Sequence, residues 1–379
     1  MDIFEQSLIS HGKWKGKIST SAKVKLKNKK LLSLAYTPGV AEPCKKIALN
    51  KNSLYNYTIK SNSVAVISDG SAILGLGNLG AEAAIPVMEG KALIFKEFAN
   101  IDAFPIVIKN QNPEKIVEII ENISPVFGAI NLEDIAAPKC FYIEENLQNL
   151  GIPVFHDDQH ATAVVVLAGL FNSLKLAKKE FSDCKIVING IGAAGTAITR
   201  LLLSYGKPKE ILLCDKYGLL DPLDVRISEE QKQLAREIGQ SRKGSLADSL
   251  ENADIFIGVS APNIISKDMV KSMSKKPIIF ALANPISEIS PKEAKKAGAF
   301  IVATGRSDFP NQVNNALVFP GFFKGLLDSR AKKATLKMKL AAAFALANIE
   351  KPSTEKILPN IFNKKIVPSI AKAVINASK

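Results

Sequence analysis

Two clusters of acids stand where short apolar runs end. AINL (129–132) runs into Glu133-Asp134, and IPVF (152–155) runs into His156-Asp157-Asp158. Ligands of α/β sheets gather at the carboxyl ends of strands, so a parallel sheet would bring these carboxylates together. Carboxylates held close repel one another unless a cation joins them, and oxygen ligands suit Mg²⁺ or Mn²⁺. The same acids also fit loop positions or a helix start; Asp158 comes just before a helical stretch, where an acid is favoured. HDDQH carries two histidines four apart, but a zinc hydrolase pattern needs Glu second and both histidines on one helix. Here Asp157 is second, His156 falls where the strand ends, and His11 is the only other histidine.

A second kind of chemistry is written in glycines. GxGxxG occurs at Gly75–Gly80 and again as Gly190-Ile191-Gly192-Ala193-Ala194-Gly195. The second copy follows the apolar run KIVIN and opens a helical stretch, TAITRLLLSYG. Asp215 ends the next apolar run, ILLCD. Glycines let a backbone turn tightly and approach a pyrophosphate, and the helix N-terminus offers it free N–H groups. Asp215 is placed to accept from an adenosine ribose, so this copy predicts a dinucleotide site. The first copy lies away from its strand VAVIS, its helix is interrupted by Pro86 and Gly90, and no acid follows at the required spacing. It predicts a tight turn that shapes a pocket.

These groups must be positioned by an alternation of strands and helices. Strands are expected at 64–68, 104–108, 129–132, 152–155, 185–189, 210–214, 254–259, 277–282 and 299–304, and the clearest helices at 112–123 and 160–179. The pattern predicts an α/β chain: an N-terminal α/β substrate and metal domain (1–158), then a Rossmann-type doubly wound parallel-sheet domain (159–379) ending in helices. The 160–179 helix would be the hinge. No run approaches the ~18 uncharged apolar residues of a membrane span, and the start does not read as a signal peptide. Four scattered cysteines without CxxC point to reduced thiols in the cytoplasm. The net charge of +14 includes eight lysines in residues 13–30. With only Trp14 there to stack on bases, that stretch reads as a solvated segment and not as a nucleic-acid surface.

The chain resembles the malic enzymes, in their short bacterial form. The similar stretches are AYTPGVAEPC (35–44), SDGSAILGLGNLG (68–80), PVMEGKALIFKEFANIDAFPI (86–106), GAINLEDIAAPKCFYIE (128–144), PVFHDDQHATA (153–163), NGIGAAG (189–195), ALANP (281–285) and GRSDFPNQVNNALVFPG (305–321). The resemblance implies roles. Glu133, Asp134 and Asp158 would hold Mg²⁺ or Mn²⁺. Lys91 would be general base, Tyr36 general acid, and Asp157 would help set the lysine. Asn284 and Asn315 would hold substrate and the nicotinamide end of NAD or NADP, against the turn from Gly190 to Gly195.

The implied reaction is oxidation of L-malate at C2, loss of CO₂ and protonation at C3 to give pyruvate. A lysine serves as base there only if burial or a nearby cation lowers its pKa. Ala161 stands where the family usually has Gly, and Ala72 where the larger enzymes have a substrate-binding Arg; which cation meets the distal carboxylate is open. The resemblance also implies a homodimer or larger homo-oligomer. The alternatives are a metal-independent 2-hydroxyacid or amino-acid dehydrogenase. The first would use a His base and an Arg clamp; neither needs Glu133, Asp134 and Asp158 together.

Overall fold

The computed structural model describes residues 2–379. The apolar runs form ten strands: β1 Ser63–Ser68, β2 Asp102–Val107, β3 Ala129–Leu132, β4 Val154–His156, β5 Lys185–Asn189, β6 Glu210–Asp215, β7 Gly218–Leu219, β8 Ile255–Gly258, β9 Ile278–Ala281 and β10 Ile301–Thr304. They make two sheets. The first runs β2-β1-β3-β4, all parallel; the second runs β10-β9-β8-β5-β6-β7 and is parallel except at β7. Covered on both faces, such strands read as unbroken apolar runs; β1, β3, β8, β9 and β10 are buried along their whole length.

In the second sheet the strand order turns back at β5, whose neighbours are β6 and β8. The crevice at the carboxyl ends of β5 and β8 is therefore a ligand position by topology. The two sheets share one core: Val64 and Val66 of β1 belong to the same buried cluster as Ile186 and Ile188 of β5. Phe95 is edge-on to Phe319 and Phe323, and Phe155 packs on Phe322 and Phe323, which ties the tail to the N-terminal half.

Two helices differ from expectation in ways that matter for chemistry. Ala81–Ala99 is a single helix through Pro86 and Gly90. One face of it buries Ala84, Met88, Lys91, Ala92 and Phe95, and that packing outweighs the local cost of the proline and glycine. The second helix starts at Asp157, three residues before the expected start, and runs to Ala177. Asp157 and Asp158 thus lie in its first turn, not in a strand-end loop, and carboxylates are favoured there by the helix dipole.

That second helix is long and apolar enough by length and composition to cross a membrane, although polar residues interrupt every strictly apolar run; 72% of its most apolar window is buried in the protein. It is the central core helix, and Asn172 within it donates to the carbonyls of Ala347 and Ile357. The tail forms helices Phe319–Asp328, Leu336–Ala347 and Ile366–Ala377. By contrast, Ile3–Trp14, Lys29–Ala35 and Ala41–Leu49 bury no residue, and they leave Phe4, Leu8, Trp14, Leu34 and Leu49 exposed.

Candidate active site

The acids converge where β3 and β4 end. Glu133 follows β3 and Asp157 follows β4, while Lys91 reaches them from the Ala81–Ala99 helix. The Lys91 ammonium lies 2.8 Å from Asp157 Oδ2 and 2.9 Å from Glu133 Oε1, over the Phe319 ring at 4.2 Å. Asn131 donates to Glu133 Oε2 at 2.9 Å. Asn131 is two residues from Glu133, so the strand period carries its amide to the same side.

Ligand oxygens of Glu133, Asp157 and Asp158 all lie within 4.8 Å of one another. The set expected from the resemblance shares Glu133 and Asp158 with this trio. Asp134 lies beside it: its backbone N–H donates to Asp158 Oδ2 at 2.9 Å, and its φ of 52° is left-handed.

The electrostatics describe a cluster short of positive charge. Burial, then repulsion among the acids, raises Glu133 well above the usual carboxylate range despite Lys91. Burial and Asp158 push Asp134 up to about 8, and burial raises Asp157 against the pull of Lys91. Asp134 Oδ2 and Asp157 Oδ1 are buried without a hydrogen-bond partner. Orphaned carboxylate oxygens in and beside a cluster of converging acids fit an oxygen-liganded divalent cation. Lys91 runs opposite to expectation: burial would lower it, but Asp157 and Glu133 together hold it above the ordinary lysine value.

A cavity of about 480 Å³ joins this cluster to the glycine loop; Lys91, Glu133, Asp134, Asp158, Gly192, Ala193, Ala194, Asn284 and Asn315 all line it. Gly190 (φ +100°) has no room for a side chain, since a Cβ would sit 2.7 Å from the Val259 carbonyl oxygen. At Gly195 a Cβ would meet the Gly190 carbonyl at 2.1 Å, whereas at Gly192 it would meet nothing within 4 Å. The outer two glycines serve packing, and the middle one leaves the space a ligand needs. Asp215 lines an adjoining cavity of about 460 Å³ with Lys216, Tyr217 and Arg226. The first glycine motif is a turn shaping the same active-site cavity, through Leu74 and Gly75; a Cβ on Gly75 would meet the Asn284 carbonyl at 2.5 Å.

Tyr36 is not brought to the cluster. It caps the Lys29–Ala35 helix, is 68% exposed, and does not line the cavity. Several residues beyond the expected set do shape the site. Ser260 lines the cavity and accepts from Asn189 at 2.6 Å. Glu288 is fully buried and accepts from the backbone N–H groups of Ser260 and Ala283 at 3.1 and 3.0 Å. Its only sequence signal was an acid three residues after Asn284-Pro285, which pattern alone does not separate from a surface loop acid.

A family model described as "Malic enzyme, NAD binding domain" matches residues 160–378, and one described as "Malic enzyme, N-terminal domain" matches residues 15–115. The chain is 51% identical over 384 residues to a bifunctional malic/malolactic enzyme of Bacillus subtilis, covering 100% of this chain and 93% of that protein. It is 50% identical over 370 residues to an NAD-dependent malic enzyme of Geobacillus stearothermophilus, covering 96% of this chain and 77% of the relative. The crystal structure of an NAD-dependent malic enzyme from Thermotoga maritima superimposes with a TM-score of 0.94 at 49% identity, over 99% of both chains.

Proposed function

The chain belongs to the malic enzyme family, and from that membership we propose that it oxidises and decarboxylates L-malate to pyruvate and CO₂, reducing NAD or NADP and requiring Mg²⁺ or Mn²⁺. The observation that carries the reading is the Lys91 ammonium between Asp157 and Glu133 in a cavity shared with the dinucleotide turn. Glu133, Asp134 and Asp158 would hold the cation, with a carboxylate oxygen of Asp157 within 4.8 Å of those of Glu133 and Asp158. When bound, the cation supplies Lewis-acid polarisation of a substrate hydroxyl or carbonyl oxygen.

Lys91 takes the C2 hydroxyl proton as hydride leaves C2. It can do so once the charge of its two carboxylate partners is shared with a cation, because those anions now hold its proton. Asp157 keeps the amine in place by its 2.8 Å hydrogen bond. Asn284 and Asn315 orient the substrate and the nicotinamide end. Tyr36 protonates C3 after CO₂ has left, and a phenol, with a pKa of about 10, carries its proton at neutral pH.

Tyr36 can fill that role only if something carries it to a cavity. The three N-terminal helices bury nothing in their own chain and expose apolar side chains. We therefore read them as the contact between two copies, with Tyr36 of each serving the cavity of the other. For the cofactor, Asp215 accepts from a ribose 2′-hydroxyl and favours NAD, while Lys216 and Arg226 stand by for a 2′-phosphate. Three of the four free cysteines are buried, which supports a reducing, cytoplasmic setting.

The test follows NAD and NADP reduction with L-malate, with and without Mn²⁺, and assays pyruvate in the same sample. Metal-dependent pyruvate formed one-for-one with reduced cofactor is expected. A folded protein that binds Mn²⁺ and reduces neither cofactor would overturn the substrate assignment.

A further inference from the structure

Directly behind the acid cluster lies a second carboxylate that the reaction above does not use. Glu144, on the Lys139–Asn146 helix, is only 13% exposed. Its Oε1 accepts from the backbone N–H of His156 at 3.3 Å and pairs with His160 Nε2 at 2.7 Å. Its Oε2 accepts from Gln159 Nε2 at 3.1 Å. The three partners are residues 156, 159 and 160, so one carboxylate grips both flanks of Asp157-Asp158. It grips them from a different segment, which begins six residues after Glu133.

Glu144 stays ionised in this place. Burial alone would raise it, but His160 and Lys339 of the tail helix bring it down to about 2. Its burial costs desolvation, and its hydrogen-bond partners all lie around the Asp157-Asp158 turn. Here it holds the turn where β4 becomes the core helix, and with it the direction of two of the three converging acids.

We propose that Glu144 is a positioning residue for the divalent cation, fixing the Asp157-Asp158 turn through His156, Gln159 and His160 so that ligand oxygens converge before the cation arrives. The inference rests on the metal-dependent reading above. Outer groups of this kind typically change metal affinity 10- to 100-fold when removed. The effect read here is the affinity for the cation, because the turn that Glu144 holds carries the ligand Asp158 as well as Asp157.

The experiment titrates Mn²⁺ into the purified full chain without substrate, reading free Mn²⁺ by electron paramagnetic resonance, for wild type, Glu144→Gln and Gln159→Leu. Thermal unfolding of each protein and the Mn²⁺ dependence of malate oxidation are recorded alongside. Expected is an affinity loss of about tenfold or more in both variants, read from the Mn²⁺ titration without substrate. Gln159→Leu alters no charge, and it carries the test alone if Glu144→Gln fails to fold. Weaker Mn²⁺ binding in Glu144→Gln with none in Gln159→Leu would reduce Glu144 to a source of negative charge and overturn the positioning role. Unchanged affinity in both, with lowered melting temperature, would make it a structural strut only. A wild type that binds no Mn²⁺ would sink the metal reading itself, and this inference with it.

Discussion

Lys91 shows how a residue's chemistry depends on its neighbours more than on its type. Burial alone would favour a neutral amine, yet two carboxylates within 3 Å override it. Lys91→Ala is expected to lower malate oxidation by about 10²–10⁴-fold, the range for a lost general base. It should leave Mn²⁺ and cofactor binding in place, since it removes a competing cation and no ligand; cofactor fluorescence and Mn²⁺ titration check this. Full activity in that variant would end the assignment of Lys91 as base.

The raised acids make a second prediction at this scale. A carboxyl whose folded pKa lies above its unfolded value binds more protons when folded, so its contribution to stability declines as pH rises between the two values. Asp134 at about 8 places that decline across neutral pH. The metal-free protein should lose about 2 kcal/mol of stability between pH 6.5 and 8 from the proton held by Asp134, read as a falling melting temperature. Mn²⁺ should stabilise more at pH 8 than at pH 6.5. A metal-induced shift that is flat across this range would show that these acids are not those the cation meets. The acids themselves were legible as two pairs after apolar runs. Their convergence followed from a parallel sheet, but pattern did not separate Asp157 from Asp158, because the choice turns on where the helix begins.

At the scale of elements, the dinucleotide turn separates two uses of glycine. Gly195→Ala pushes a methyl into the Gly190 carbonyl and should lower both melting temperature and cofactor affinity. Gly192→Ala meets no protein atom, so the fold should hold its melting temperature while the cofactor Kd rises, by about tenfold if the methyl faces the pyrophosphate. Equal damage in both would mean that the open space at Gly192 is not where the cofactor lies. Strands were the most legible elements, since β1, β3 and β5 differ from their expected bounds by at most one residue. Helix starts were less so. His156 takes the N-cap without a side-chain bond, so no Ser, Thr, Asp or Asn before the first turn marked the true beginning. Strand β7 has two residues, too few for any period to register.

At the scale of the whole molecule, the N-terminal arm is the part the sequence described least. Its helices lack a core of their own, and what they pack against is not encoded by local periodicity. If each cavity takes Tyr36 from a second copy, Tyr36→Phe and Lys91→Ala are both inactive alone. Mixed under conditions that exchange subunits, they form hybrids with one intact cavity, and up to about half of the activity per hybrid should return. Sedimentation on dilution checks the pairing, and activity should fall as the copies part. No recovery in a verified hybrid would place Tyr36 within its own chain's site.

The Asp157–Ala177 helix begins at the acid cluster and ends beneath the second sheet. Its 21 residues span about 31 Å at 1.5 Å each. For recombination between relatives, a crossover at 158/159 would cut this rod inside its first turn, parting Asp158 from the packing that aims it. A crossover after Lys178, where the chain turns left-handed and the helix stops, keeps the acids with their rod. It then asks the incoming half to match the rod's flank, including the Ala347 and Ile357 carbonyls that receive Asn172, and to supply the Phe319, Phe322 and Phe323 rings that meet Phe95 and Phe155. Inherited shuffling of cofactor-binding halves should therefore leave its seams after this helix and not before it.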